Sequence, residues 1–170
     1  MRRAVGAIIG LLLSLGVTAE VREFPLGNSG VIAIPVDDSW KATPPPADSA
    51  AAISIESRKP GQLQILLTPL PVRRDDAEVR QLVQETSEKI APQSVEKTLT
   101  LRPLQGARVK GYYFRATDPA PNPGEYRFMY QGAASVDGML VTFTVLFNDG
   151  AENEASSAMT AIRGMALRRR

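Results

Sequence analysis

Residues 124–147, GEYRFMYQGAASVDGMLVTFTVLF, decide the fold predicted for this chain. Asp137 and Gly138 separate two runs with alternating apolar residues, and a two-residue Asp-Gly loop strongly favours a β-hairpin because both positions tolerate positive φ. The predicted cross-strand pairs are Val136–Met139, Ala134–Val141, Gly132–Phe143, Tyr130–Val145 and Phe128–Phe147. One face of the hairpin is therefore almost wholly apolar and is expected to be core. The opposite face has a mixed composition that suits partial cover.

The first nineteen residues are predicted to be a cleaved signal peptide. Arg2 and Arg3 form a positive start, an apolar stretch follows, and Val17-Thr18-Ala19 supplies small residues at a cleavage site. The apolar stretch is shorter than the roughly 20 residues that a spanning helix needs. We therefore expect cleavage after Ala19, a mature domain over residues 20–170, and a periplasmic or secreted location.

Charge and cysteine content narrow the classes of function. Loss of Arg2 and Arg3 lowers the count of Lys and Arg from 20 to 18, which equals the 18 Asp and Glu residues. A balanced charge argues against nucleic-acid binding, which usually requires a basic face. The chain has no cysteine, so no disulfide supports it. A mature chain of this length buries enough surface to fold as one domain without one.

Further strands are predicted on both sides of the first helix. Alternating or apolar runs are bounded by turn residues, which is typical of strands and hairpins. Pro44-Pro45-Pro46 is expected to be extended and exposed, and Pro35 is expected at an edge or a strand end. The predicted strands are Val21–Leu26, Val31–Val36, Ala51–Ser57, Gln62–Thr68, Lys97–Leu104 and Arg108–Thr117.

Two helices are predicted, over Asp75–Ala91 and Gly150–Arg163. Each begins with acids three residues apart, Asp75 with Glu78 and Asp149 with Glu152, which is the capping-box spacing. Their predicted inward stripes are Val79, Leu82, Val83, Thr86 and Ile90 for the first helix, and Ala155, Ala158, Met159 and Ile162 for the second. Residues 168–170 are expected to form a basic tail.

The order of these elements resembles the PsbP-like superfamily. The residues that carry the resemblance are Gly30-Val31-Ile32-Ala33-Ile34-Pro35 followed by Trp40, Gly111-Tyr112-Tyr113 at the start of a strand, and the central hairpin with the last helix. The resemblance spans Val21 to Leu167. It implies an α+β fold, a mainly antiparallel twisted sheet with helices on its faces in an α/β/α sandwich. It also implies binding or accessory roles rather than catalysis.

Candidate catalytic and metal sites are few because the chain has no histidine and no cysteine. A Ser-His-Asp or Cys-His arrangement cannot be assembled, and the usual zinc ligands are missing. Asp37 and Asp38 are adjacent carboxylates that could act as an acid and base pair or bind a hard cation, although turn formation explains them more simply. We predict no cofactor, no metal and no enzymatic activity; a hydrolase that uses only Asp, Glu or Lys is the remote alternative.

Two aromatic residues are the remaining binding candidates. Trp40, the only tryptophan, could line a groove for a ligand or peptide, or pack a strand end against the core. Tyr112 belongs to a set of tyrosines that could stack on bases, although cross-strand packing fits their alternation better.

These observations predict an exported, non-catalytic binding or accessory protein of the bacterial envelope. It would be a monomer that contacts an envelope protein and does not bind nucleic acid. The alternative is a carrier of a lipid or aromatic ligand, with an apolar pocket between the sheet and the first helix near Trp40. Arg168, Arg169 and Arg170 could touch anionic lipid, although a solubilising tail is the simpler interpretation.

Overall fold

A computed structural model describes residues 19–44 and 52–168 of the 170-residue chain. The predicted signal peptide before Ala19, the prolines Pro45 and Pro46, and the terminal Arg169 and Arg170 lie outside the described residues. Within the described part, no helix has the length and hydropathy needed to cross a bilayer.

The described residues form ten strands and two helices. The strands are β1 (Ala19–Pro25), β2 (Val31–Asp37), β3 (Lys41–Thr43), β4 (Ile53–Glu56), β5 (Leu63–Leu70), β6 (Arg102–Gln105), β7 (Val109–Thr117), β8 (Phe128–Val136), β9 (Met139–Phe147) and β10 (Ala166–Arg168). The helices are α1 (Asp76–Ile90), between β5 and β6, and α2 (Glu152–Arg163), between β9 and β10. The predicted α+β class is confirmed.

A seven-stranded antiparallel sheet forms the centre of the molecule, in the order β3-β4-β5-β9-β8-β7-β6. The predicted central hairpin is β8 and β9, and its register is confirmed for all five predicted pairs. Asp137 and Gly138 have φ values of 49° and 86°, the positive values that the tight turn requires. The sheet is therefore built outward from this hairpin, with β5 on one side and β7 on the other.

A smaller three-stranded sheet has the order β1-β2-β10. Pro35 lies beyond the last residue that β10 contacts on β2, which is Ala33, so the missing proline amide costs no ladder bond to β10. The prediction of a basic tail is wrong at Arg168, because this residue belongs to β10 and its guanidinium forms an ion pair with Glu23.

The two helices lie on opposite sides of the large sheet. On the inner face, α2 and the small sheet enclose the main core, which includes Ile34, Phe143 and Ile162. On the outer face, α1 covers a second and smaller core that includes Val83 and Phe114. The molecule is thus a layered sandwich with unequal cover on its two faces.

The predicted inward faces of the helices are confirmed in part. The α2 stripe of Ala155, Ala158, Met159 and Ile162 is buried as expected. In α1, Val79 and Val83 are buried, but Leu82 is 37% exposed, and Ser87 is buried where Thr86 had been expected. The helix therefore presents a narrower apolar stripe to its sheet than the sequence indicates.

Of the two predicted capping boxes, only the first forms. The Asp75 carboxylate accepts a hydrogen bond from the Glu78 amide, and the Glu78 carboxylate accepts one from the Asp75 amide. The second prediction is wrong, because α2 begins two residues later with Ala151 as its N-cap and the Asp149 carboxylate pairs with Arg127.

Two strand predictions also need correction. The strand expected from Lys97 begins only at Arg102, and Lys97 itself has a positive φ of 54° that interrupts extended backbone. Residues Lys41–Thr43, predicted to lead into an extended proline segment, form the edge strand β3, which pairs with β4.

Candidate functional site

Asp37 and Asp38 form the turn between β2 and β3. The Asp37 carboxylate accepts a hydrogen bond of 2.8 Å from the Ser39 amide, and the Asp37 carbonyl accepts one from the Trp40 amide. Hydrogen bonds from Ser39 hold the pKa of Asp37 below its ordinary value. A general acid needs a raised pKa to stay protonated near neutrality, whereas the pKa of Asp37 is lowered. The geometry therefore fits a turn and gives no support to an acid and base pair.

Trp40 is 5% exposed and belongs to the inner core. The first helix packs over the core on the outer face of the sheet, so Trp40 does not face that helix. The interpretation of Trp40 as a residue that packs a strand end against the core therefore fits the structure.

Tyr112 fastens the start of α1 to the sheet. Its hydroxyl donates a hydrogen bond of 3.0 Å to the Asp76 carboxylate, and the Lys110 ammonium lies 3.3 Å from the other oxygen of the same carboxylate. The hydrogen bond to Asp76 raises the pKa of Tyr112. The residue therefore has a structural role at the helix start, and it does not lie next to Trp40, Asp37 or Asp38.

The outer face of the large sheet is only half covered. Helix α1 packs on β7 and β8, whereas α2 packs on β9 and β5 from the inner face. The accessible residues of this face, beside α1 and beyond it, are half-buried; those without an ionisable group form what we call the trough floor, and they are Ser54, Gln64, Leu66, Thr68, Met129, Gln131, Thr142, Thr144 and Leu146. Met129 also packs against the smaller core. Glu56, the exposed last residue of β4, lies on the same face at the margin of the floor.

One side of α1 forms a wall along this floor. Leu82 and Thr86 face Gln131 and Thr142 across a small cavity of about 70 Å³. The exposure of Leu82, unexpected for a residue on the apolar stripe, follows from this position because no neighbouring element covers it. The floor and the wall together form what we call the trough.

The trough leads into a cleft of about 440 Å³ at the end of α1. Apolar side chains of Ile90, Met129 and Leu146 line it, with Asp118 and Glu125 among the polar residues at its margin. Tyr126 also lines the cleft, and desolvation together with the negative charge of Glu56 raises its pKa. The phenol therefore stays neutral at physiological pH and can donate a hydrogen bond.

A second cleft, of about 570 Å³, lies at the start of α1 and has a charged lining. Its cations already have partners: Arg74 lies 2.8 Å from Glu78, Lys110 pairs with Asp76, and Arg108 lies 3.5 Å from Asp137. The first pair is local to the start of α1, and the other two connect distant segments of the fold, so the charges have a structural explanation.

The described residues contain no group of three side chains with the ligand types that would hold a metal ion. In the proline-rich loop, the Asp118 carboxylate accepts from the Ala120 amide, and Asn122 donates to Glu125. These bonds stabilise the loop itself and do not converge on a common centre.

Comparisons with solved structures establish the fold. The solution structure of cyanobacterial PsbP (CyanoP) from Synechocystis sp. PCC 6803 is similar with a TM-score of 0.53 and 9% sequence identity, over 96% of this chain and 99% of that chain. This chain has the PsbP-like fold. The resemblance noted in the sequence is thereby confirmed at the level of the fold.

Two other structures share the architecture. The crystal structure of LpqN, involved in cell envelope biogenesis of Mycobacterium tuberculosis, is similar with a TM-score of 0.54 and 14% identity, over 87% of this chain and 90% of that chain. A Bacteroides thetaiotaomicron crystal structure is similar with a TM-score of 0.51 and 8% identity, over 81% of this chain but 45% of that chain. No protein-family model and no curated protein sequence matches the chain.

The trough was missed as a candidate site by the sequence reasoning. The signal for it was the mixed face of the central hairpin, where Thr142, Thr144 and Leu146 alternate with buried residues. The sequence predicts that this face is partly covered, but only the strand order determines which part lies under α1. Since β5 pairs with β9, the uncovered part extends across β5 to β4.

Proposed function

We propose that the chain is an exported, non-catalytic accessory protein of the bacterial cell envelope that binds another protein in the trough. The observation that carries this proposal is the uncovered half of the outer sheet face. Leu66 and Leu146 lie there among uncharged side chains, with the Glu56 carboxylate at the margin, while the inner face of the same sheet is buried. Uncharged surface next to an apolar cleft is typical of a binding region.

Other observations support a role without catalysis. The chain lacks histidine and cysteine, and the acids that were candidate catalytic residues form a turn. An envelope role is supported by the predicted leader sequence and by the fold shared with LpqN, which is involved in cell envelope biogenesis.

The test uses a photo-crosslinking amino acid at Leu66 or Thr144 in the full chain, expressed in the cells that naturally produce it. We expect ultraviolet light to join the chain to one defined envelope protein from both positions. Crosslinker at Val21, which is 51% exposed on β1 in the other sheet, is the matched control and should not capture that protein. Capture of no protein from either floor position would contradict the proposed function.

The cleft at the end of α1 supports a second candidate, a carrier of a small apolar ligand. Its volume of about 440 Å³ falls within the range of ligand pockets, and Ile90, Met129 and Leu146 provide an apolar lining. A fluorescent fatty acid should then bind the purified chain, and Met129→Lys should weaken binding at least tenfold. Binding that is unchanged in Met129→Lys would exclude the cleft as the ligand site.

A further inference from the structure

We infer that the partner inserts an amphipathic α-helix into the trough, beside α1, with basic residues near the Tyr126 cleft. This inference rests on the proposed function and specifies the partner's contacting segment. It concerns the trough floor, the wall formed by Leu82 and Thr86, and the cleft.

The hydrogen bonding of the floor excludes an added strand. β9 is paired with β5 on one side and β8 on the other, and β5 is paired with β4 and β9. Their backbone groups are already used in the ladders, so a partner meets only side chains. An extended segment lying on this face would leave its own backbone amides and carbonyls without partners, whereas a helix satisfies its own.

The dimensions of the floor match one helix. From β8 to β4 there are three interstrand spacings, which together span about 14 Å. A helix with its side chains is about 10–12 Å across, so one helix fits between the wall and the β4 side. Helix α1, with 15 residues, already packs in this way on the neighbouring strands of the same sheet.

The uncharged side chains of the floor determine which face of the partner helix can contact it. The nine floor residues carry no charge, and the nearest carboxylate of β4, Glu56, lies at the margin. A charged side chain buried over the middle of the floor would therefore lose hydration without gaining an ion pair. Leu66, Leu146 and the exposed Leu82 instead favour a stripe of leucine, alanine and other uncharged residues.

Charge at the cleft favours basic residues at one end of the partner helix. Asp118 and Glu125 line the cleft and make no ion pair within residues 52–168, where their hydrogen bonds come from amides. The lining cation Arg127 is already paired with Asp149 at 3.1 Å. Lysine or arginine arriving at this end would meet the two carboxylates, and charge complementarity would set the orientation of the helix.

The test maps the crosslinks of the full chain onto the captured partner by mass spectrometry, with the crosslinker at Leu66, Thr144 or Tyr126. We expect the labelled partner residues to recur at spacings of three and four within one segment. The Tyr126 crosslink should fall next to lysine or arginine. Thr144→Lys should reduce capture from Leu66 at least tenfold, whereas Val21→Lys, in the other sheet, should leave it unchanged. Trp40 fluorescence confirms that each variant is folded.

The outcomes separate this inference from the proposed function. Labelled partner residues that alternate at a spacing of two, or that scatter over several segments, overturn the helix and leave protein binding in place. A labelled helix with acidic residues opposite Tyr126 overturns the orientation. Adducts with lipid, with a small molecule or with a second copy of this chain, and none with another protein, overturn both proposals.

Discussion

Asp137 shows how one residue can satisfy a local rule and also hold the tertiary structure together. Its positive φ of 49° opens the turn between β8 and β9, as expected for Asp before Gly. Its carboxylate also accepts a hydrogen bond of 2.9 Å from the Leu167 amide in β10. The turn of the large sheet is thereby joined to the last strand of the small sheet.

Asp137→Ala is expected to lower the free energy of unfolding by about 1–3 kcal/mol, because the half-buried Leu167 amide loses its acceptor. Alanine also tolerates the left-handed conformation less well than aspartate. Asp137→Asn is the matched control, since asparagine retains both an oxygen acceptor and the turn preference, and it should cost less. Urea unfolding monitored by Trp40 fluorescence measures both. Equal losses of unfolding free energy in the two variants would show that the hydrogen bond from the Leu167 amide does not contribute to stability.

The two predicted capping boxes allow a direct comparison between a cap that forms and one that does not. Asp75→Ala removes the N-cap of α1 and is expected to cost about 1 kcal/mol of unfolding free energy. Asp149→Ala removes only an exposed ion pair with Arg127 and should change stability by less than about 0.5 kcal/mol. Chemical denaturation of both variants checks this, and a larger loss at Asp149 would contradict the structural difference.

At the scale of the element, β10 is the clearest departure from expectation. The sequence around Leu167 is too short and too basic to indicate a strand by its own pattern. This segment pairs with Ala33 and Ile32 of β2 because α2 ends next to the small sheet. Leu167 is thereby buried in the inner core.

Leu167→Ala is expected to lower the free energy of unfolding by about 2–5 kcal/mol, as for other buried leucine truncations. Removal of residues 169 and 170 should leave stability unchanged, because β10 ends at Arg168. Thermal unfolding of both variants, compared with the full chain, provides the measurement. A negligible effect of Leu167→Ala would show that the terminal strand is not part of the cooperative fold.

At the scale of the whole molecule, the absence of histidine predicts a broad pH plateau of stability. No side chain with an ordinary pKa between 5 and 8 is present in the sequence. The groups with shifted pKa values titrate outside this range. Asp37, Glu78 and Glu96 have lowered pKa values, and Tyr112 and Tyr126 have raised ones.

Stability should therefore fall at both ends of the pH scale. A carboxyl group with a lowered folded pKa stabilises the fold above its unfolded pKa and loses this contribution as the pH falls below about 4.5. A tyrosine with a raised folded pKa stabilises the fold below its unfolded pKa and loses this contribution as the pH rises above about 10.

Melting temperatures between pH 3 and 11 test this prediction. For Glu96, burial favours the neutral form, but hydrogen bonds from the Thr117 amide and hydroxyl outweigh it and lower the pKa. Glu96→Gln should therefore reduce the acid dependence, while Glu20→Gln, at an exposed residue, serves as the control. A melting temperature that varies strongly between pH 6 and 8 would contradict the plateau.

Much of the fold could be predicted because its signals are local. The Asp137-Gly138 turn, the alternation in β8 and β9, and the Asp75 capping box each depend on residues close in the chain. The trough could not be predicted in the same way, because it depends on the lack of a second helix beside α1 on the described outer face of the sheet. The exposure of Leu82 likewise depends on neighbours that a helical pattern does not contain.

Neighbouring residues and composition are sufficient to predict the central hairpin and its register, both helices, and the lack of histidine and cysteine chemistry. The folded arrangement places Trp40 in the core, joins Asp137 to β10 and leaves half of the outer sheet face uncovered. These features arise where distant segments meet or fail to meet. Strand order and helix placement set those contacts, and neither is encoded in a short stretch of chain.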